Sequence, residues 1–338
     1  MRFPMRSLLS LATAVSTAAG LVLLGAAGPA AADGGDGGFT IKDPRIKESS
    51  GLAASRAHPG IYWTHNDSDD GPYVYAVDSK TGQTVATITM TGVGRPRDVE
   101  AISVGSDGNV YVGDIGDNLG GTWKNVWIYK FREPAQLKDA TVKATQYVVK
   151  YADGPRNAEA LMVHPKTGRL YIASKKEGGG GLYEGPERLS TAGTNVFRRI
   201  GDVPWVTDGA FSPDGGKLAL RGYLWAAEYD WKDGKLGARH GVDAPLMRQA
   251  ESVTYTPDGK ALLFGTEGAQ SDVVRVPVAS DGGNSPSGKG SSPSNGGSGS
   301  GSGGSGSGGD NRNLVYGAIV IVGAGAAWVG LKRKFRRG

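Results

Sequence analysis

The sequence predicts an all-β chain folded as a β-propeller, and three observations predict it. A six-residue segment recurs without gaps as Arg97–Ile102 (RDVEAI), Arg156–Leu161 (RNAEAL) and Arg248–Val253 (RQAESV), with weaker copies at Lys47–Leu52 (KESSGL) and Trp205–Ala210 (WVTDGA). Each copy is followed by a turn signal: His58-Pro59-Gly60, Ser106-Asp107-Gly108-Asn109, Pro165-Lys166-Thr167-Gly168, Pro213-Asp214-Gly215 or Pro257-Asp258-Gly259. These residues supply positive φ or preset a turn. A second short apolar run then begins, at Ile61, Val110, Leu170, Leu218 and Leu262, as buried inner strands require.

Taken in order, residues 1–32 form a secretory signal peptide. A basic start and an apolar middle close on Ala30-Ala31-Ala32, a small-residue cleavage pattern. Residues 33–280 form the propeller. The copies are spaced 50, 59, 49 and 43 residues apart, the length of a four-stranded blade, so five copies predict five blades. Six blades would require the stretch 130–154 to hide a degenerate copy. Outer strands are visible at Val126–Phe131 and Gln146–Val149, whereas the last repeat shows only three strands, ending at Val273–Val276. Phe39–Lys42, from the start of the domain, is expected to supply the fourth and close the ring.

Residues 281–313 form a linker. Of the 30 residues Asp281–Asp310, 23 are Gly or Ser, too polar to bury a core and with a reach of roughly 30 Å as a flexible coil. Leu314–Leu331 is an uncharged run of 18 residues, long enough for a transmembrane helix. The basic tail 332–338, with Lys332, Arg333, Lys334, Arg336 and Arg337, is expected to stay in the cytoplasm. The chain is therefore expected at the cell membrane as a single-pass protein, with a monomeric ectodomain on the cell-wall side.

Composition removes several function classes. The whole chain carries a formal charge of +5, but residues 33–280 hold 29 Lys and Arg against 31 Asp and Glu. A nucleic-acid partner has no net electrostatic support there. There is no cysteine and there are only four histidines, so thiolate metal sites and disulfides are absent. No zinc-protease, nucleophile-elbow or phosphate-loop motif occurs.

The first strand of a propeller blade lines the channel and the second runs back beside it. Ser50, Glu100, Glu159, Asp208 and Glu251 are thereby expected to form one ring at the channel mouth. Four converging carboxylates repel one another unless a cation or hydrogen-bond donors intervene. Ca²⁺, a hard ion taking oxygen ligands, resolves the conflict; loop amides around a water-filled channel are the other resolution, and both stay open. Three positions earlier stand Lys47, Arg97, Arg156, Trp205 and Arg248, a collar able to hold an anionic group or to pair with ring carboxylates. The second strands end on the same face in His65-Asn66-Asp67-Ser68, Asp114 with Asp117-Asn118, Lys175-Lys176, Arg221 and Glu267.

His65 is the histidine placed for general acid–base work, with Asp114 as a second proton carrier. Arg97, Arg156, Arg248, Lys175 and Arg221 are the candidate ligand-binding set. His58, His164 and His240 are expected as plain surface residues. The segments Asn66–Gly71 (NDSDDG) and Asp114–Asn118 (DIGDN) are either loop calcium sites or ordinary Asp/Asn turns.

The SPDG and TPDG turns and the EAI, EAL and ESV strands resemble WD40-like and TolB-like propellers of secreted bacterial proteins, although the WD dipeptide is missing. The motifs ESSGLAASRAHPGIYWTHNDS and GDIGDN resemble actinobacterial surface propellers near the esterase-like phytases, over about residues 39–278. The ring order is similar to that of five-bladed calcium-activated nucleotidases, whose channel carboxylates and serines hold Ca²⁺. Ser50, Glu100, Glu159 and Glu251 match that pattern, and Asp208 stands where it has a serine. Two functions follow as expectations. One is a surface binding module that takes an extracellular protein, a glycan or a small anionic ligand through its channel face. The other is a Ca²⁺-dependent hydrolase of phosphate esters, with water activated by the metal.

Overall fold

The computed structural model describes residues 38–278 except residue 69. The signal segment, the linker, the apolar run and the basic tail lie outside the described residues. Among those described, no helix is long and apolar enough to cross a membrane, and every regular element is a strand.

The strands form successive antiparallel meanders. β2 (Ser49–Ala54), β3 (Ile61–Asn66), β4 (Tyr73–Asp78) and β5 (Thr84–Thr91) make the first; β6 (Val99–Val104), β7 (Asn109–Asp114), β8 (Val126–Arg132) and β10 (Thr145–Tyr151) the next. Then come β11 (Ala158–Val163), β12 (Leu170–Ser174), β13 (Gly180–Glu184) and β14 (Asn195–Val203), followed by β15 (Asp208–Phe211), β16 (Lys217–Gly222), β17 (Trp225–Lys232) and β18 (Lys235–Val242). The last sheet holds β19 (Ala250–Tyr255), β20 (Ala261–Thr266) and β21 (Asp272–Pro277). Its outer edge is β1 (Gly38–Thr40), which pairs with β21 antiparallel from Gly38–Val274 to Thr40–Asp272. The N-terminal strand thus completes the last sheet, as its sequence position suggested.

The stretch 130–154 holds no further first strand. It supplies β10 and a short β9 (Ala140–Lys143), which adds in parallel to the edge of β5. A parallel pairing of β10 with β14 also joins two meanders at their outer edges.

Apolar cores lie between consecutive meanders. Trp63, Ile88 and Met90 pack on Ile102, Val112 and Tyr129; Ile115, Ile128 and Val149 on Leu161, Ile172 and Phe197; and Met162 and Leu182 on Leu218 and Leu220. Ala219 and Ala226 meet Val253 and Phe264, and Leu263 and Val273 meet Leu52, Tyr62 and Tyr75, which brings the last sheet against the first. The first strands follow one another in the same closed order, β2, β6, β11, β15, β19 and back to β2. This circular packing of meanders around their first strands is a β-propeller.

The fully buried pattern of β3, β11, β12 and β19 follows from that packing, because both faces of an inner strand are covered. The turns between first and second strands use glycine where the chain must turn left-handed, as at Gly108 (φ 69°) and Gly168 (φ 68°). At that end the channel widens into a cavity of about 290 Å³ lined by Leu52, Ile102, Val163, Phe211 and Thr254, among others. Its lining mixes apolar side chains with Ser55, Ser103 and Ser212, and the acidic groups lie at the other end of the same strands.

Candidate functional site

The strand pairing explains how carboxylates reach the channel mouth. The register between first and second strands slips between Val99 and Ala101, between Ala158 and Ala160, and between Ala250 and Ser252. Glu100, Glu159 and Glu251 are the extra residues of three β-bulges, a device that re-aims a side chain. A wider slip between Ser49 and Leu52 frees Ser50 and Gly51. The fourth candidate carboxylate, Asp208, has no bulge and pairs directly with Arg221.

That difference decides the ring. Ser50 Oγ donates to Glu100 Oε2 at 3.1 Å, and Glu100, Glu159 and Glu251 are 3 %, 1 % and 7 % exposed. Burial first, then the charges of Glu159, Asp67 and Asp98, hold Glu100 well above the usual carboxylate range. Burial, with Glu159, Glu267 and Asp67, pushes Glu251 up to about 8 despite the opposing Lys175. Asp98 is pushed up to about 7 by burial and by Asp67 and Glu159.

Lys175 stands among these groups. Its Nζ lies 3.0 Å from Glu159 Oε1 and donates to Tyr223 OH at 3.0 Å. Burial alone would lower its pKa, but Glu159, Tyr223, Glu251 and Glu100 hold it well above the ordinary lysine value. Of the expected ligand-binding set, Lys175 is the residue that enters the ring.

Asp208 does not belong to the open ring. Its Oδ1 accepts from Gly209 N at 2.7 Å and its Oδ2 from Val253 N at 2.9 Å, so it ties β15 to β19. Arg221, 1 % exposed, donates Nη1 to Ser252 O at 3.1 Å and sits over the Phe264 ring at 4.9 Å. Burial lowers it to about 10. Both act inside the wall.

The arginine collar does not converge either. Arg97 is sandwiched by Trp127 at 3.6 Å and Trp123 at 4.0 Å and donates to Asn125 O. Arg156 pairs with Asp153 at 2.9 Å beside Tyr183, and Arg248 is exposed. The reason is geometric: a residue three positions before the bulge lies outside the strand, and its long side chain reaches the nearest aromatic or acidic group of its own repeat.

Asp114, expected to carry protons, is fully buried and spends its oxygens locally. Oδ2 accepts from Arg97 N at 3.1 Å and Tyr129 OH at 2.6 Å, and Oδ1 from Asp98 N at 3.1 Å. The two loop motifs behave in the same way. Asp117 accepts from the amides of Thr122 and Trp123. Asn66 Oδ1 accepts from Lys47 N and Glu48 N, and Asp70 from Gly71 N and Tyr75 OH. These are turns built by side-chain acceptors.

His65 is 1 % exposed, with Nδ1 3.2 Å from Asn66 O and Nε2 packed against Gly51 with no partner. Burial lowers it to about 4. The unfolded chain therefore takes up the proton first as pH falls. The stabilisation is complete above about 6.5 and lost toward about 4, about 3 kcal/mol in all. We expect a proton NMR titration of the His65 ring to give a midpoint near 4; a midpoint above 6 would return His65 to the acid–base candidates. His164 departs from the surface position expected of it: it is buried at 6 %, against Phe211, and Nδ1 accepts from Lys166 N and Thr167 N. His58 is half-buried on Pro134 O, and His240 is exposed beside Asp230.

Sequence reasoning missed Glu48, Asp98 and Tyr223. Each has a repeat signal. Glu48 and Asp98 stand two residues before their ring residues, as do Asn157 and Gln249, and Tyr223 follows its second strand directly, as Asp67, Lys175 and Glu267 do. Oxygens of Glu48, Asp67 and Glu267 lie within 4.8 Å of one another.

Fold and site together define a β-propeller with an acidic channel mouth. No protein-family model and no curated protein matches the sequence. Among solved structures, an aldose sugar dehydrogenase from Streptomyces coelicolor in its PQQ-bound form is 12 % identical with a TM-score of 0.41, over 71 % of this chain and 98 % of that one. A gluconolactonase from Xanthomonas campestris is 14 % identical with a TM-score of 0.40, over 73 % and 92 %. Hydrazine synthase from Kuenenia stuttgartiensis is 16 % identical with a TM-score of 0.39, over 64 % of this chain and 61 % of that chain, less than two thirds of its length. At these scores the likenesses carry no argument about the activity of this chain.

Proposed function

We propose that the chain is a five-bladed, surface-tethered propeller that works as a binding module through its channel face. Residues 1–32 export it, 281–313 tether it and 314–331 anchor it in the membrane. The observation that carries the binding role is the charge of the mouth. Glu48, Asp67, Asp98, Glu100, Glu159, Glu251 and Glu267 interact on one face, and Lys175 is the one ammonium paired with a ring carboxylate among the described residues. Such a face takes a hard divalent cation, Ca²⁺ outside the cell. The ion in turn gives a protein, a glycan or a small anionic ligand something to bind.

The test is thermal unfolding of the full-length chain in EDTA and after Ca²⁺ is restored. Ca²⁺ at a hundred times its Kd is expected to stabilise the fold by about 2.7 kcal/mol. Indifference to both additions, with no metal co-purifying, would remove the cation from the proposal.

The alternative is a Ca²⁺-dependent extracellular hydrolase of phosphate esters, phytase-like or nucleotidase-like. It has less support, since Arg97 is held by Trp123 and Trp127, Arg156 by Asp153 and Tyr183, and Asp114 is buried in its turn. Release of phosphate from a panel of nucleotides and phosphomonoesters, abolished by EDTA, would reverse that order.

A further inference from the structure

We propose that the cavity at the turn end of the channel, opposite the acidic mouth, is a second binding site. It takes a small organic monocarboxylate, with the carboxylate on Arg56 and the apolar body inside. The site shares no residue with the mouth and needs no cation there.

The walls come from the ends of all five first strands. Backbone hydrogen bonds from Ser55 N to Ile61 O, Gly105 N to Asn109 O, His164 N to Arg169 O, Ser212 N to Lys217 O and Thr256 N to Ala261 O close each first strand onto its second. Antiparallel pairing alternates, so the residue before each of these donors turns its amide to the opposite edge of the strand. That edge is the channel. The five residues are Ala54, Val104, Val163, Phe211 and Tyr255, and all of them line the cavity. Val163 N reaches Ser103 Oγ of the neighbouring meander at 3.2 Å. The other four amides meet no protein acceptor among the described residues, which leaves them as donors for water or a ligand. Leu52 and Ile102 supply apolar surface beside them.

Arg56 provides the independent observation. It is the one charged residue of the lining, and it breaks the repeat: Pro165, Pro213 and Pro257 hold its position in three of the other turns and Ser106 in the fourth. Buried Glu133 fixes the turn on both sides of it. Glu133 Oε1 accepts from Ser55 Oγ at 2.6 Å and from Trp63 Nε1 at 2.8 Å, and Oε2 accepts from Ala57 N at 3.1 Å. Arg56 itself is exposed and has no hydrogen bond or ion pair among the described residues. The carboxylates of the neighbouring turns are spent locally, Asp214 on Ser212 Oγ and Gly216 N, Asp258 on Thr256 Oγ1 and Lys260 N. A free guanidinium at a pocket whose lining holds no acidic side chain selects a carboxylate, which its planar fork matches. The volume of about 290 Å³ is at the low end of small-molecule pockets, about 300–1,000 Å³. That limits the body to a single ring or a short branched chain.

The experiment is a titration of the isotope-labelled full-length chain with sodium benzoate, followed by backbone amide chemical shifts. It is run for wild type, Arg56→Met, Arg56→Lys and the exposed control Arg188→Met. Benzyl alcohol, which keeps the ring and drops the charge, and inorganic phosphate, which keeps a charge without the ring, are the comparison ligands. Circular dichroism checks that each variant is folded. Benzoate should bind wild type and Arg188→Met with a Kd of about 1 mM, within reach of a ligand this small. The amides of Ala54, Val104, Phe211 and Tyr255 should shift, and that of Lys175 should not. Arg56→Met should weaken binding about tenfold or more, and Arg56→Lys by less, because it keeps the charge and loses the fork. Both comparison ligands should bind more weakly than benzoate by a similar factor. Equal affinity of Arg56→Met and wild type would overturn the proposal. So would benzyl alcohol or phosphate binding as tightly as benzoate, or shifts centred on Lys175. No binding at about 20 mM, where a millimolar site is nearly filled, would overturn it as well. None of these results bears on the cation at the mouth. If Arg56→Met fails to fold, Arg56→Lys and the benzyl alcohol comparison decide.

Discussion

Replacing Lys175 by methionine is expected to destabilise the chain by about 3–5 kcal/mol, the usual cost of removing one partner from a buried ion pair. Methionine keeps most of the apolar stem and deletes the charge. The Lys175 side chain is 17 % exposed, and its partner Glu159 only 2 %. Without the ammonium, Glu159, Glu100 and Glu251 face one another with Ser50 Oγ and the Asn157 amide as the remaining donors in hydrogen-bond reach. For a domain of this size the loss amounts to roughly 10 °C in Tm. Urea unfolding of the Lys175→Met chain measures it, and Glu159→Gln in the same chain should recover part of the loss by removing the orphaned charge. A loss under about 1 kcal/mol, the range of an exposed pair, would mean that Lys175 is solvated and does not hold the ring.

The second large effect is expected at Asp114. Alanine there leaves the Arg97 and Asp98 amides and the Tyr129 hydroxyl without their acceptor. Each buried donor left unsatisfied costs about 1–3 kcal/mol, so the total is about 4 kcal/mol or more. The same turn carries Asp98 and leads into Glu100, so cation binding should weaken along with stability. Denaturant unfolding at neutral pH tests this, and Asp114→Asn, which keeps one acceptor, should lie between alanine and wild type. An Asp114→Ala chain as stable as wild type but defective in turnover would instead restore Asp114 as a proton carrier.

Much of the architecture was legible because propeller repeats are local. A basic residue with a carboxylate three positions on marks three of the five first strands, and Lys47 with Ser50 and Trp205 with Asp208 mark the other two. A turn with glycine and a short apolar run follow each, and β2, β6, β11, β15 and β19 each begin within one residue of Ser50, Glu100, Glu159, Asp208 and Glu251. The closing strand was legible too, since the last repeat lacked one and Phe39–Lys42 was spare at the start of the domain; the strand itself runs over Gly38–Thr40. The parallel edge pairs β5–β9 and β10–β14 were not. Outer strands such as Ala140–Lys143 carry no periodic signal of their own and are placed by whichever edge lies beside them.

The sequence alone determined the repeat, the turns, and the common position of Glu100, Glu159 and Glu251 within it. Tertiary structure decided where each charge went. Glu100, Glu159 and Glu251 turn into the mouth because a bulge precedes each partner pairing, and a bulge belongs to two strands rather than to one. Asp208, in the same frame but without the bulge, meets the amides of Gly209 and Val253 instead. Arg97 and Arg156 found aromatic rings and Asp153 nearer than any ring carboxylate, while Lys175, from the end of a second strand, reached Glu159. A side chain's type and spacing are written locally, but its partner is fixed by the neighbouring repeat that packing places across from it.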